Sequence, residues 1–349
     1  MNADRLAERL LEETNGALEM FSVYLGDQLG CYRAMAAGEW FTAEGLAARI
    51  GAAPRYCEEW LSHQAVREIV EVEDPRAQPR RYRLPAEHVA VLVDPDSLLN
   101  GVGNVISLAR YARRLPDLVA AYRSGQAPPP LPWGPEGRPE LNRAVFRNLL
   151  GKQWLPSLPG IDRRLRTPGA RVADVACGTG WSSIAIALAY PEASVDGSDR
   201  DADAIEQARR HAGELGVADR VRFEVGDAAE LGEERRYDLV TIIEALHDVA
   251  QPVAVLRGAR ERLTAAGSVL VIDTRAEDEF TLPASEFEQL EYGYSLLTCL
   301  PDAMEPGSAA TGMVMRPPAL RRYAAEAGFT TVRDLPIDTP YWRFSELTV

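Results

Sequence analysis

Apolar positions recur at helical spacing through the first part of the chain. Leu18, Phe21, Val23, Leu25, Leu29 and Tyr32 predict a helix that runs into the Ala34–Ala37 stretch. Thr42 stands where an N-cap belongs, ahead of the short helical pattern TAEGLAARI, which Gly51 stops. Pro54, tolerated in a first helical turn, opens PRYCEEWLSHQAV. REIVEVED and RRYRL, separated by the turn-rich PRAQP, read as a two-stranded wing. Three helices and a wing predict a winged-helix module over residues 1–93.

A connector is expected over residues 94–168, contributing to an acceptor pocket. It holds the apolar stretch LLNGVGNVISLARYARRL and then GQAPPPLPWGPEGRP, where repeated prolines remove amide donors and exclude regular helix. ELNRAVFRNLLGKQWLPSLPG reads as a helix ending near Gly151 or Trp154. Over residues 169–349 strand-like and helical patterns alternate. ARVADVAC, ASVDGSD, VRFEVGD, YDLVTII and SVLVIDT are strand-like, with WSSIAIALAY, DADAIEQARRHAGEL and PVAVLRGARERL helical between them. This alternation predicts an α/β fold with a doubly wound, mostly parallel sheet, whose ligands bind beyond the carboxyl ends of its strands.

Composition narrows the partners. The chain has 349 residues, a formal net charge of -14 and one lysine, Lys152. Such a field repels nucleic acid and anionic membrane surfaces. On the candidate recognition helix Arg55 sits beside Glu58, Glu59, Trp60 and Leu61, which favours a dimer-forming or substrate-covering module over a DNA reader. No apolar run has membrane-spanning length, and MNADRLAERLLEE lacks a signal-peptide core, so a cytoplasmic protein is expected. Cys31, Cys57, Cys177 and Cys299 form no CxxC pair, so neither a metal centre nor a disulfide framework is expected.

The residues after each strand carry the candidate chemistry. In VADVACGTGWSS, Gly178 and Gly180 permit a tight turn and close approach of a ligand to bare amides. Spacing alone leaves a dinucleotide possible, with Ser183 in the third glycine's place. Asp174, expected to face the same crevice, would oppose a pyrophosphate and suits a cation such as a sulfonium or ammonium. Asp199, about twenty residues past the loop, can accept from both ribose hydroxyls, with Asp196 more plausibly inside the strand. Asp227 can accept the adenine amino proton while the Ala228 amide donates to the ring.

DVACGTG, VDGSD, EVGDA and YDLVTIIEALHD resemble, in order, the motifs of class I S-adenosylmethionine-dependent methyltransferases. The resemblance implies a seven-stranded Rossmann-like sheet and S-adenosylmethionine as cofactor. It places Gly178 and Gly180 at the methionine end, Asp199 at the ribose and Asp227 at the adenine.

Beyond the fourth strand stands Glu244-Ala245-Leu246-His247-Asp248. A histidine on that rim is poised near neutral pH to take a hydroxyl proton. The segment looks like the LHD motif of O-methyltransferases with an N-terminal winged-helix dimerisation domain, which implies His247 as general base and a homodimer. Asp248 either orients the imidazole or caps the next helix. Glu244 is read as a contact to the methionine ammonium, with the acceptor side as the alternative. The family's usual tryptophan after LHD is Val249 here, and SAATGMVMRPPAL lacks the family's later acidic partner. Trp133, Phe146, Trp154, Tyr292, Tyr294, Met313 and Met315 are candidate lining for an apolar or aromatic small-molecule acceptor. Carbon or nitrogen methylation, a non-methylating rearrangement and a DNA-binding regulator are the competing readings.

Overall fold

The computed structural model describes residues 1–131, 140–229 and 236–349, so Trp133 lies outside the described residues. The chain divides into two compact units, Met1–Arg113 with Pro132–Ala144, and Arg114–Leu131 with Val145–Val349. Residues 94–168 thus contribute to both units.

In the first unit the expected first helix is two. Helix α1 spans Ala3–Gln28 and α2 spans Cys31–Met35, divided by Gly30 at φ 74°. Thr42 caps α3 (Ala43–Ile50), its hydroxyl accepting the Gly45 amide at 3.1 Å, and Gly51 ends it in the left-handed region. Pro54 opens α4 (Pro54–Val66). The wing is shorter than its sequence pattern, with β1 at Glu71–Val72 antiparallel to β2 at Tyr82–Arg83. Tyr32, Met35, Leu46, Leu61 and Leu84 form the buried centre of this unit.

The second unit is built on seven strands: β3 (Arg171–Val175), β4 (Ser194–Asp199), β5 (Val221–Val225), β6 (Tyr237–Ile243), β7 (Leu263–Thr274), β8 (Thr331–Asp334) and β9 (Trp342–Thr348). Their spatial order is β5-β4-β3-β6-β7-β9-β8. Pairing is parallel from β5 to β7 and antiparallel at β7/β9 and β9/β8. Strand β3 carries four consecutive buried residues, as a strand covered on both faces must. The chain leaves β3 toward β4 on one side and reaches β6 on the other, so the crevice opens between β3 and β6. Strand β7 begins earlier than the SVLVIDT pattern, with a register irregularity opposite Tyr237/Leu239.

Helix Trp181–Ala189 covers this sheet, and its entry depends on Gly180. That residue has φ 82°, and a Cβ there would meet the Phe223 ring at 2.6 Å and the Ala208 Cβ at 2.7 Å. Gly180→Ala is therefore expected to cost about 2 kcal/mol or more from strain and overpacking, read as a lower urea midpoint with an unchanged m-value.

Candidate functional site

Ordered across the sheet, the carboxyl ends of β5, β4, β3, β6 and β7 deliver Asp227, Asp199, the glycine loop, Glu244–Asp248 and Asp273. Residues distant in sequence thus form one row along a single edge of the sheet.

On the β3–β5 side, the loop after β3 turns with Ala176 at φ 56° and Gly178 at φ 54°. Ala176 takes a conformation that favours glycine, a local strain of about 1–3 kcal/mol of the kind stored at functional sites. A Cβ on Gly178 would point into open space, so its backbone is accessible to a ligand. Its amide donates to Asp199 Oδ2 at 2.8 Å, and the Asp201 amide donates to Asp199 Oδ1 at 2.9 Å. Each Asp199 oxygen keeps a further lone pair for a hydroxyl donor. Asp227 is exposed, its Oδ1 accepting the Ala229 amide at 2.8 Å, and Ala228 is half-buried beside it. Asp196 lies within β4 and accepts from the Tyr237 hydroxyl at 3.1 Å.

Asp174 departs from expectation. It is 1% exposed, with the Ser182 and Ser183 hydroxyls each donating to Oδ2 at 2.6 Å and Thr241 donating to Oδ1 at 2.8 Å. Burial raises its pKa, opposed by these three hydroxyls. Its carboxylate ties the helix after the loop to β3 and β6 instead of meeting a ligand's positive charge. The physical reason is alternation: the side chain points into the helix layer, where Ser182 and Ser183 receive it.

On the β6–β7 side, His247 is 3% exposed. Its Nδ1 lies 2.6 Å from Asp273 Oδ1, and its Nε2 lies 3.3 Å from the exposed Asp248. The orienting partner is therefore Asp273, at the end of β7. Asp248 is on the opposite nitrogen, in a turn, and the next helix (Pro252–Glu261) is preceded by Gln251. Sequence reasoning sought this acid before the AGF segment and missed it, although the rule that strand ends carry the chemistry points to SVLVIDT. Burial pulls the imidazole pKa down, but Asp273 and Asp248 outweigh it and hold His247 well above its ordinary value. The Cys299 thiol is within hydrogen-bonding reach of His247 and Asp248, and burial pushes it up to about 12. His247, Asp248 and Cys299 place their ligand atoms within 4.8 Å of one another.

Glu244, at φ 50°, is the second strained residue on this edge, and Trp342 Nε1 donates to its Oε1. Of the expected lining residues, Phe146 and Trp154 belong to the core, Trp154 packing edge-on against Trp342 and Phe344 at 5.4 and 5.0 Å. Met315 is core as well. The Met313 carbonyl accepts from Thr274, and the Tyr292 hydroxyl accepts from Arg316.

Comparison with known proteins agrees with this geometry. Residues 166–309 match the family described as Methyltransferase domain, and residues 17–94 match the Rv2258c-like winged HTH domain. The ubiquinone biosynthesis O-methyltransferase of Bordetella avium (strain 197N) is 34% identical over 139 residues, 39% of this chain. The chain spans about half, 53%, of that relative's length. Among solved structures, the mitomycin 7-O-methyltransferase MmcR superposes with TM-score 0.70 at 21% identity, covering 99% of this chain and 98% of its own. Human N-acetylserotonin methyltransferase, in complex with SAM, superposes with TM-score 0.68 at 19% identity, covering 100% and 99%. At those identities the likeness shows the shared fold. S-adenosylmethionine, the cofactor of the matched domain class, fits the residues present: open space at Gly178, spare lone pairs on Asp199 and an exposed Asp227 along one edge. Residues 166–309 thus lie in an S-adenosylmethionine-dependent methyltransferase domain of class I fold, preceded at residues 17–94 by a winged helix-turn-helix domain.

Proposed function

We propose that the protein methylates a hydroxyl oxygen of a small organic acceptor, with His247 as general base. The observation that carries this reading is the His247 side chain, held through Nδ1 by Asp273 at 2.6 Å, with Nε2 on the other side of the ring. When bound, S-adenosylmethionine supplies an electrophilic methyl on a sulfonium. Asp199 and Asp227 receive its ribose and adenine donors, and Gly178 leaves room for its methionine end, whereas the space a side chain would take at Gly180 is filled by Phe223 and Ala208. The strained Glu244 stands between this region and His247 and receives the ammonium. His247 Nε2 would accept the acceptor's hydroxyl proton, and Asp273 would stabilise the imidazolium that results. The acceptor is apolar or aromatic around that hydroxyl, in keeping with the tyrosines of helix Glu286–Tyr294.

The winged-helix unit acts as a dimerisation domain in this reading. Leu11, Leu18, Phe21 and Leu25 along α1 and Leu29 at its C-cap lie exposed at spacings of three, four and seven residues, an apolar stripe suited to a second copy. On α4 the Arg55 guanidinium is engaged by Glu59 at 2.5 Å and Glu58 at 3.8 Å, which leaves little net charge for a phosphate backbone. Among the described residues no helix is long and apolar enough to cross a membrane.

Four measurements test this. Asp199→Ala is expected to weaken S-adenosylhomocysteine binding about tenfold or more by calorimetry, since hydrogen bonds to a charged acceptor contribute roughly 1.5–3 kcal/mol. On a panel of hydroxylated aromatics, His247→Ala is expected to lower kcat by about 10²–10⁴; undiminished turnover would instead favour nitrogen or carbon methylation. Because His247 must be neutral to accept a proton, kcat/KM is expected to rise with pH along a limb above 6.5. Asp273→Asn removes a raising charge and moves that limb to lower pH. Sedimentation equilibrium is expected to report a dimer, and charged substitutions at Leu18 and Leu25 a monomer.

A further inference from the structure

Helix Glu286–Tyr294 continues into a π-helical segment, Ser295–Cys299, a rare geometry enriched at functional sites. One face of this continuous helix carries Glu288, Glu291, Ser295 and Cys299, and each of the four is buried. Three have partners. Glu288 pairs with Arg316 at 2.5 Å, the Ser295 hydroxyl accepts the Met313 amide at 3.0 Å, and Cys299 reaches His247 and Asp248. Glu291 is 1% exposed, yet neither of its carboxyl oxygens has a hydrogen-bond partner among the described residues. Asp273 Oδ2 is unpartnered as well.

A buried carboxyl with no donor is costly, and this chain otherwise supplies donors to such groups. Glu346, buried on β9, receives Arg333, Arg164 and Ser268, and these outweigh its burial and lower its pKa. Glu291 moves the other way. Burial, with Asp273 and Glu288 nearby, pushes it up to about 8, opposed by the charge of His247. The group therefore sits within electrostatic reach of the base and its orienting acid, on the edge where the acceptor must lie.

We propose that Glu291 recognises the acceptor, receiving an O–H or N–H donor borne next to the hydroxyl presented to His247. This rests on the methyltransferase reading and deepens it: the acceptor class becomes vicinal, a hydroxyl with an adjacent hydroxyl or amine. A site built to receive a donor rejects the analogue that lacks it, because the buried acceptor is then left unpaired. Discrimination is expected to reside in this one carboxyl.

The test uses catechol and 2-methylphenol, similar in shape but differing in the second donor, with the full-length protein saturated with S-adenosylhomocysteine. Calorimetry is expected to show catechol bound about tenfold tighter or better by wild type. Glu291→Gln, which keeps an acceptor oxygen, retains the preference, and Glu291→Leu abolishes it. Since Glu291→Leu removes an unpaired buried carboxyl, its Tm at pH 8 is expected to rise by about 2 °C or more, whereas loss of a structural anchor would lower it. Equal binding by wild type, binding of neither phenol, a preference that survives in Glu291→Leu, or a fall in its Tm each overturns the proposal. The S-adenosylhomocysteine titration in the same samples reports on the methyltransferase reading separately, so failure of the two is distinguishable.

Discussion

The buried carboxylate of Asp174 is the constraint on which the ligand edge depends. A carboxylate at the centre of a sheet covered on both faces costs several kcal/mol unless its oxygens are hydrogen-bonded. Here three hydroxyls satisfy it, two from helix Trp181–Ala189 and one from the neighbouring strand β6. These bonds fix the helix to β3 and β3 to β6 at the point where the chain's direction of travel across the sheet reverses. The glycine loop and the end of β6 are thereby held in register, and the residues projecting from both share one crevice.

That rigidity allows strain to persist beside it. Ala176 and Glu244 adopt positive φ at the ends of β3 and β6, which are adjacent parallel strands. Each conformation costs about 1–3 kcal/mol and survives where surrounding bonds over-determine it. Asp174 supplies those bonds beneath the loop, and Trp342 supplies one at Glu244. The strained pair flanks the crevice, turning backbone amides on one side and a carboxylate on the other toward the same space.

Charge is divided along the same edge. Toward β5, Asp199 and Asp227 are partly or fully exposed and each accepts from backbone amides. Toward β7, Asp273 and Glu291 are buried. Asp273 there retains a buried imidazolium, and Glu291 holds its proton toward higher pH. One row of carboxylates thus changes character from end to end, solvent-reached toward β5 and buried at Asp273 and Glu291.

How much was legible beforehand follows the range of the interactions involved. Thr42 capping α3, Gly51 ending it, Pro54 opening α4, the strand and helix alternation after residue 169 and the glycine loop were all readable, because caps, turns and periodicity act over a few residues. The sequence by itself therefore determined the α/β architecture, the winged-helix order and which residues stand at the carboxyl ends of the parallel strands. Only the tertiary structure decided what those residues do. Asp273 rather than Asp248 holds the His247 ring from 26 positions away, Trp342 meets Glu244 across 98, and Asp174 turns inward to Thr241 across 67. Nor does spacing reveal that Glu288 gains a guanidinium while Glu291, one turn on, gains none. The pairing of a buried polar group is set by which distant segments the fold brings within about 3 Å, and no local pattern encodes that distance.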